Sequence, residues 1–213
     1  MDLRLVKGEE RRQAILRYAM DLASVHGLEG VTIGRLANDL QMSKSGIFNH
    51  FPTKEELQLA VIDTADHVFL DTVITPALQA EPGAPQAWRL WEARLECMRR
   101  RDVPGGCFTS MVAFEFHARP GPVRDAIARS HLAWLQLHEH VIDQARELGH
   151  FTADTDAWLL ATELDALAMA ANLNATLHNR HDTFSQARAV ALTRLHQAST
   201  PAAPLLDEPE RSS

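Results

Sequence analysis

TIGRLANDLQMSKSGIFNHF, residues 32–51, encodes two short helices joined by a tight turn. Thr32 is a good N-cap, because its hydroxyl can satisfy a free N–H of the first helical turn. Ile33, Leu36, Ala37 and Leu40 recur at helical spacing and make one apolar face. Gln41-Met42-Ser43 breaks that pattern, and Ser43 can cap a second helix from Lys44 to about His50. Ile47 and Phe51, four residues apart, are its inward pair. Lys44, Ser45, Asn49 and His50 then point outward. A cation, a small hydroxyl, an amide and an imidazole on one short face suit a DNA groove: Lys reads guanine, Asn pairs with adenine through two hydrogen bonds, and Ser meets bases or phosphate. Gly46 costs the helix about 1 kcal/mol relative to Ala, which makes sense where something approaches the backbone closely.

These residues, T-I-x-x-L-A followed by S-K-S-G-I-F-N-H-F-P-T-K-E-E-L, resemble the TetR family of helix-turn-helix regulators. The resemblance covers about residues 8–61. Beyond them it is only an arrangement of helices. It implies a DNA-contacting set of Thr32, Ser43, Lys44, Ser45, Gly46, Asn49, His50 and Lys54. Two positions depart from the family pattern. Relatives often have Tyr at position 48, with its hydroxyl on phosphate; Phe48 has none, so that contact does not carry over. The turn often has Gly where this chain has Gln41, which makes its backbone less relaxed.

The 213 residues fit one large or two small domains, and 46% apolar against 23% charged residues is ordinary for a globular protein. No run of eighteen apolar residues implies a membrane span, and the start, MDLRLVKGEERRQ, lacks the apolar core of a signal peptide. Cys97 and Cys107 do not make a disulfide framework, so a cytoplasmic protein with reduced thiols is expected. The net charge of −7 looks wrong for a DNA binder, but it is unevenly spread. Residues 1–54 hold eight Lys/Arg and six Asp/Glu, a net of +2, and the remainder carries −9. The cationic end is the end with the helix-turn-helix.

Upstream, Met1–Lys7 reads as a mobile arm and Gly8–His26 as a helix with a stripe of Ile15, Tyr18, Ala19, Leu22 and Ala23. Gly27 is placed to end it. Arg11 and Arg12 either reach flanking phosphates or lie on a solvated face. Downstream, Thr53-x-x-Glu56 reads as a capping box opening a helix that continues to about Ala80 and links the two parts of the chain. Lys54 sits in its first turn, where a cation opposes the helix dipole but can meet a phosphate. Further helices read as Ala87–Asp102, Cys107–His117, Val123–Leu148, Asp156–His178 and Phe184–Ala198, the last opened by a Thr183-x-x-Gln186 box. Arg99–Arg101 reads as a cationic helix end. The expected fold is all-α, about nine helices: a three-helix helix-turn-helix domain over 1–53, a helical regulatory domain over 54–199, and a disordered tail over 200–213.

Eleven histidines invite a metal reading, but H-E-x-x-H and C-x-x-C are absent, and His138 and His140 lie about 200° apart on a helix. Neither Ser110 nor Ser130 has the setting of a nucleophile elbow, and no Gly-rich phosphate loop is present. No catalytic residue, metal or cofactor is therefore expected. Cys107 reads as a small apolar filler rather than a redox sensor. By resemblance the regulatory domain holds an apolar ligand cavity; the candidates to line it are Trp88, Trp91, Phe108, Thr109, Met111, His117, Trp134, Glu163, Met169 and Asn172. Leu160, Leu164, Leu167, Ala168, Ala171, Leu192 and Leu195 are the expected dimer interface, since two DNA-reading heads meet a palindromic site as a twofold pair. The resemblance implies a homodimeric repressor released from double-stranded operator DNA by a small, largely apolar effector. A co-repressor-dependent regulator or activator, and a helical carrier or enzyme with a vestigial DNA-binding domain, remain the alternatives.

Overall fold

The computed structural model describes residues 3–102, 104–204 and 206, with the side chains of residues 3–7 outside the description. Among the described residues the chain is all-α, with nine helices. They are α1 (Leu3–His26), α2 (Ile33–Asp39), α3 (Lys44–Phe48), α4 (Lys54–Phe69), α5 (Ala84–Arg100), α6 (Phe108–Phe116), α7 (Pro122–Glu147), α8 (Ala157–His178) and α9 (Asp182–Ala198). The α4 helix runs on through a π-helical turn (Leu70–Ile74) into a last α turn (Thr75–Ala77). The first helix starts at Leu3, so the expected mobile arm is helical backbone from that residue; Met1 and Asp2 lie outside the described residues.

The described residues form two compact units. One comprises the described residues of Met1–Phe69 and Arg101–His131, the other those of Leu70–Arg100 and Leu132–Ser213, so the chain passes between them three times, at the end of α4, at the end of α5 and within α7. In the first unit, Ile15, Leu16, Ala19 and Ala23 of α1 pack with Leu36 and Ala37 of α2, Ile47, Phe51, and Leu57 and Val61 of α4. Phe108, Val112 and Phe116 of α6 and Ile127 of α7 complete this core. This first unit is therefore larger than three helices, because α6 supplies part of its apolar interior.

Local caps explain why the first helices start and stop where they do. The Arg35 N–H donates to Thr32 Oγ1 at 3.2 Å, and the Gly46 N–H donates to Ser43 Oγ at 3.1 Å. Each such cap contributes about 1 kcal/mol. Gly27 ends α1 at φ +73, a left-handed conformation that glycine adopts at no steric cost. Glu115 of α6 then reaches the turn after α1. Its two carboxylate oxygens accept from the backbone N–H groups of Leu28 at 2.7 Å and Glu29 at 2.9 Å. A Cβ on Gly27 would stand 2.5 Å from that carboxylate. Gly105 presses as closely on the end of α1, where its N–H donates to Ser24 Oγ at 3.0 Å.

In the second unit α8 packs against α9 and α5. Leu160, Ala161, Leu164 and Ala168 of α8 and Ala191 and Leu195 of α9 are fully buried, with Trp88, Leu90, Trp91 and Leu95 of α5. A polar cluster sits in this interior: Arg94 pairs with Asp165, and Trp134 Nε1–H donates to the same carboxylate at 2.9 Å. Trp91 Nε1–H donates to the Leu164 carbonyl at 2.6 Å. His138 is wholly buried, 3.2 Å from the Ala87 carbonyl through Nε2, and burial pushes its pKa down to about 4. No helix among the described residues is long and apolar enough to cross a membrane.

Two further expectations change. The Thr183-x-x-Gln186 capping box does not form: α9 starts at Asp182, Thr183 Oγ1 donates to the Ala171 and Arg180 carbonyls, and Gln186 turns to Asp182. The expected tail begins tied down. Phe151 and Ser199 form a β-bridge, the Thr200 N–H donates to the His150 carbonyl at 2.9 Å, and Leu206 is buried. Residues 205 and 207–213 lie outside the described residues.

Candidate nucleic-acid interface

The α3 helix has one buried side and one open side. Ile47 is 0% exposed, part of the apolar core, while Lys44, Ser45, Phe48 and Asn49 are exposed. Asn49 closes the helix as its C-cap in right-handed conformation, and Ser45 Oγ lies 3.1 Å from Ser43 Oγ. His50 is half-buried beside Phe51, which modifies its expected outward placement. Gly46 has a local reason beyond close approach: a Cβ there would lie 3.2 Å from the capping Ser43 oxygen. The turn is left-handed at Gln41, φ +53, the conformation for which a glycine is the relaxed choice. Around it, Arg11, Gln41, Met42, Ser43 and Gly46 border a depression of about 540 Å³. Thr32 is exposed at the start of α2, although its hydroxyl is engaged as the cap.

Two basic residues have intramolecular partners. Lys54 Nζ donates to Glu29 Oε2 at 2.8 Å and to the Glu29 carbonyl at 3.1 Å, and this contact holds the Glu29 carboxyl below its usual pKa. Lys54, placed by the sequence against the helix dipole, thus has a partner within the chain. Arg12 stacks its guanidinium 5.3 Å from the Phe51 ring centre. Sequence reasoning missed Glu29, Gln58 and Glu115, which together organise the turn between α1 and α2: Gln58 donates to the Leu28 carbonyl at 3.2 Å and to Glu29 Oε1 at 3.3 Å. These contacts join residues 25 to 87 positions apart, and no local pattern announces them.

The residues expected to line a ligand cavity fall in both units. Phe108, Thr109, Met111 and His117 belong to the first unit, where Phe108 is core and His117 is exposed with Nδ1 2.8 Å from the Phe114 carbonyl. In the second unit Trp88, Trp91 and Trp134 are buried, Met169 and Asn172 are half-buried, and Glu163 is held by Arg194 at 2.6 Å. The second unit instead has a cavity of about 560 Å³ with a mixed wall. Arg89, Glu92, Glu96, Arg99, Arg100 and Arg188 line it together with Pro76, Ala77, Leu95 and Phe184. Glu92 holds two of these cations, Arg188 at 2.9 Å and Arg89 at 3.2 Å, and Arg188 stacks on Trp88 at 5.0 Å. The signal was present as a charged stripe on α5, Arg89, Glu92, Glu96 and Arg99, at helical spacing.

Most of the expected dimer residues are buried within one chain. Leu160, Leu164, Ala168, Ala171 and Leu195 are 0–4% exposed inside one chain, and Leu167 and Leu192 are half-buried. The opposite side of α8 is the open one. Leu159, Leu173 and Leu177 are 50%, 49% and 68% exposed there, with Ala166 and Ala170 between them, and Val190 of α9 is 51% exposed.

Comparison with known proteins places both parts of the chain. Residues 15–61 match the family of bacterial regulatory proteins, tetR family, and residues 83–191 match the tetracyclin repressor-like C-terminal domain. The HTH-type transcriptional regulator TcmR of Streptomyces glaucescens is 33% identical over 90 residues, 40% of each chain. The HTH-type transcriptional repressor AcnR of Corynebacterium diphtheriae is 45% identical over 51 residues, 24% of this chain and 27% of that protein. The matched stretches thus span less than half the length of either curated relative. A TetR transcriptional regulator from Chloroflexus aurantiacus has the same fold at TM-score 0.83 and 22% identity, over 91% of this chain and 98% of that one.

Proposed function

The chain belongs to the TetR family of helix-turn-helix transcriptional regulators, and on that footing we propose that it is a homodimeric repressor that a small effector releases from a palindromic operator. The observation that carries this reading is the open side of α3. Lys44, Ser45 and Asn49 stand exposed on a helix whose other side, through Ile47, is locked into the core. In the major groove Lys44 meets guanine, Asn49 pairs with adenine, and Ser45 meets a base or phosphate. Thr32, Ser43, Gly46 and His50 meet the flanking backbone, and Lys54 exchanges its Glu29 partner for a phosphate.

A second copy joins along the open side of α8 with Val190 of α9. The exposed leucines there form a helical stripe, and twofold pairing is what presents two α3 helices to a palindrome. The effector occupies the second unit. Its cavity of about 560 Å³ has the size of a small-molecule site, and its wall favours a molecule with an apolar body and a charged group. That narrows the largely apolar effector expected from the sequence. Effector binding acts on α4, through which the chain passes from one unit to the other, and the heads leave their sites. The protein works in the bacterial cytosol.

A gel shift of the full chain against the DNA upstream of its own gene, with an unrelated duplex as competitor, tests the reading. A retarded band that survives the competitor is expected, at a stoichiometry of two chains per site. Equal displacement by both duplexes would reject a sequence-specific regulator in favour of a helical carrier.

A further inference from the structure

Phe48 is a large apolar side chain set on a polar surface. Its exposure is 48%, whereas Ile47 beside it is 0% exposed and Phe51, three residues on, is 1% exposed. Phe48 follows Lys44 by four residues and Asn49 follows Ser45 by four, so all four side chains share one side of α3. The ring carries no donor or acceptor, and it cannot hydrogen-bond a phosphate. On a helix side that enters a groove with Lys44 and Asn49, the ring favours an apolar neighbour. In the major groove the apolar group presented at the base edges is the C5-methyl of thymine, and phenylalanine is among the side chains that pack on it.

Resting on the reading of α3 as the DNA-contacting helix, we infer that Phe48 is a specificity-determining residue that packs on a thymine methyl in each half-site, next to the base that Asn49 meets. The position adds recognition of the methyl group, which the hydrogen-bonding residues do not read. A tyrosine would keep the ring for this contact, whereas an alanine would remove it.

The test begins with duplexes selected from a random-sequence pool by the full-length protein. Each thymine of the enriched site is then replaced in turn by deoxyuridine, which deletes only the methyl group. For the wild-type chain one thymine per half-site should matter, with a loss of about fourfold per half-site, the transfer preference of one buried carbon. Phe48→Ala should bind the thymine and deoxyuridine duplexes equally, and Phe48→Tyr should keep the discrimination. Circular dichroism and binding to random DNA show whether each variant is folded. If every deoxyuridine duplex binds wild type as tightly as the parent, the inference is overturned without reference to any variant. It is also overturned if Phe48→Ala weakens both duplex types and leaves their ratio intact, which would put the ring on the sugar-phosphate backbone. Failure to enrich any duplex would refute the underlying DNA-reading role instead, and so is distinguishable.

Discussion

Glu115 holds the turn between α1 and α2, and removing its carboxylate should loosen the DNA-binding unit. Its two oxygens accept from Leu28 at 2.7 Å and Glu29 at 2.9 Å. Hydrogen bonds to a charged group contribute about 1.5–3 kcal/mol each. Leu28 is 0% exposed, so its N–H loses its partner outright in Glu115→Ala; the Glu29 end is open to water and costs less. Together these give about 2–4 kcal/mol. Glu115→Gln is not conservative here, because one of the two acceptors becomes an NH2 facing a backbone N–H; about half the loss or more is expected. Gly27 supplies an internal control. Its Cβ would strike the same carboxylate at 2.5 Å, at φ +73. Gly27→Ala should therefore destabilise on its own. The double variant with Glu115→Ala should lose less than the sum, because deleting the carboxylate removes the clash. Urea unfolding followed by circular dichroism measures all four proteins. A midpoint in Glu115→Ala equivalent to less than about 0.5 kcal/mol of loss, or strictly additive costs in the double variant, would refute the clamp.

Three further outcomes follow from the site geometry. His138 has a folded pKa near 4 against an ordinary 6.5, so the unfolded chain takes up the proton first as pH falls. Its contribution is complete above pH 6.5 and is lost between 6.5 and 4, about 3 kcal/mol in all; in His138→Gln the difference in unfolding free energy between pH 7 and pH 4.5 should shrink accordingly, and an unchanged difference would contradict the assignment. Leu173→Asp, on the open side of α8, should give a folded monomer in sedimentation, whereas a dimer of undiminished affinity would move the interface elsewhere. Lys54→Gln breaks a partly exposed pair with Glu29 and should cost less than about 1 kcal/mol of stability. On DNA its slope of log K against log salt should become shallower by about 0.9 per head, and an unchanged slope would confine Lys54 to its Glu29 contact.

The parts of this protein that sequence made legible are those built by neighbours. Thr32 and Ser43 cap their helices as read, because a cap is settled within three residues. The stripe on α1 and the inward Ile47 follow from helical period alone. Long-range polar contacts left no such trace. Arg94 lies three residues after Trp91, within an apolar stripe, and only the folded chain pairs it with Asp165, 71 positions away. Glu115 meets residues 86 and 87 positions away. On α8 the difficulty is different: Leu159 and Leu160 are equally apolar, so period cannot say which side enters the core, and most of the expected dimer residues lie buried within one chain. The Thr183 box failed because its hydroxyl found carbonyls of the preceding turn and of α8 instead of its own helix start.

If the open side of α3 reads DNA sequence, Asn49→Ala should lose affinity for the operator alone. Affinity for the selected operator and for random duplex is measured by fluorescence anisotropy at one salt concentration. Loss of the Asn49 pair should cost about 1–3 kcal/mol on the operator, roughly a fivefold to 150-fold weakening, and leave random DNA nearly unaffected. Equal weakening on both duplexes, or none on either, would contradict the assignment of α3 as the sequence-reading element.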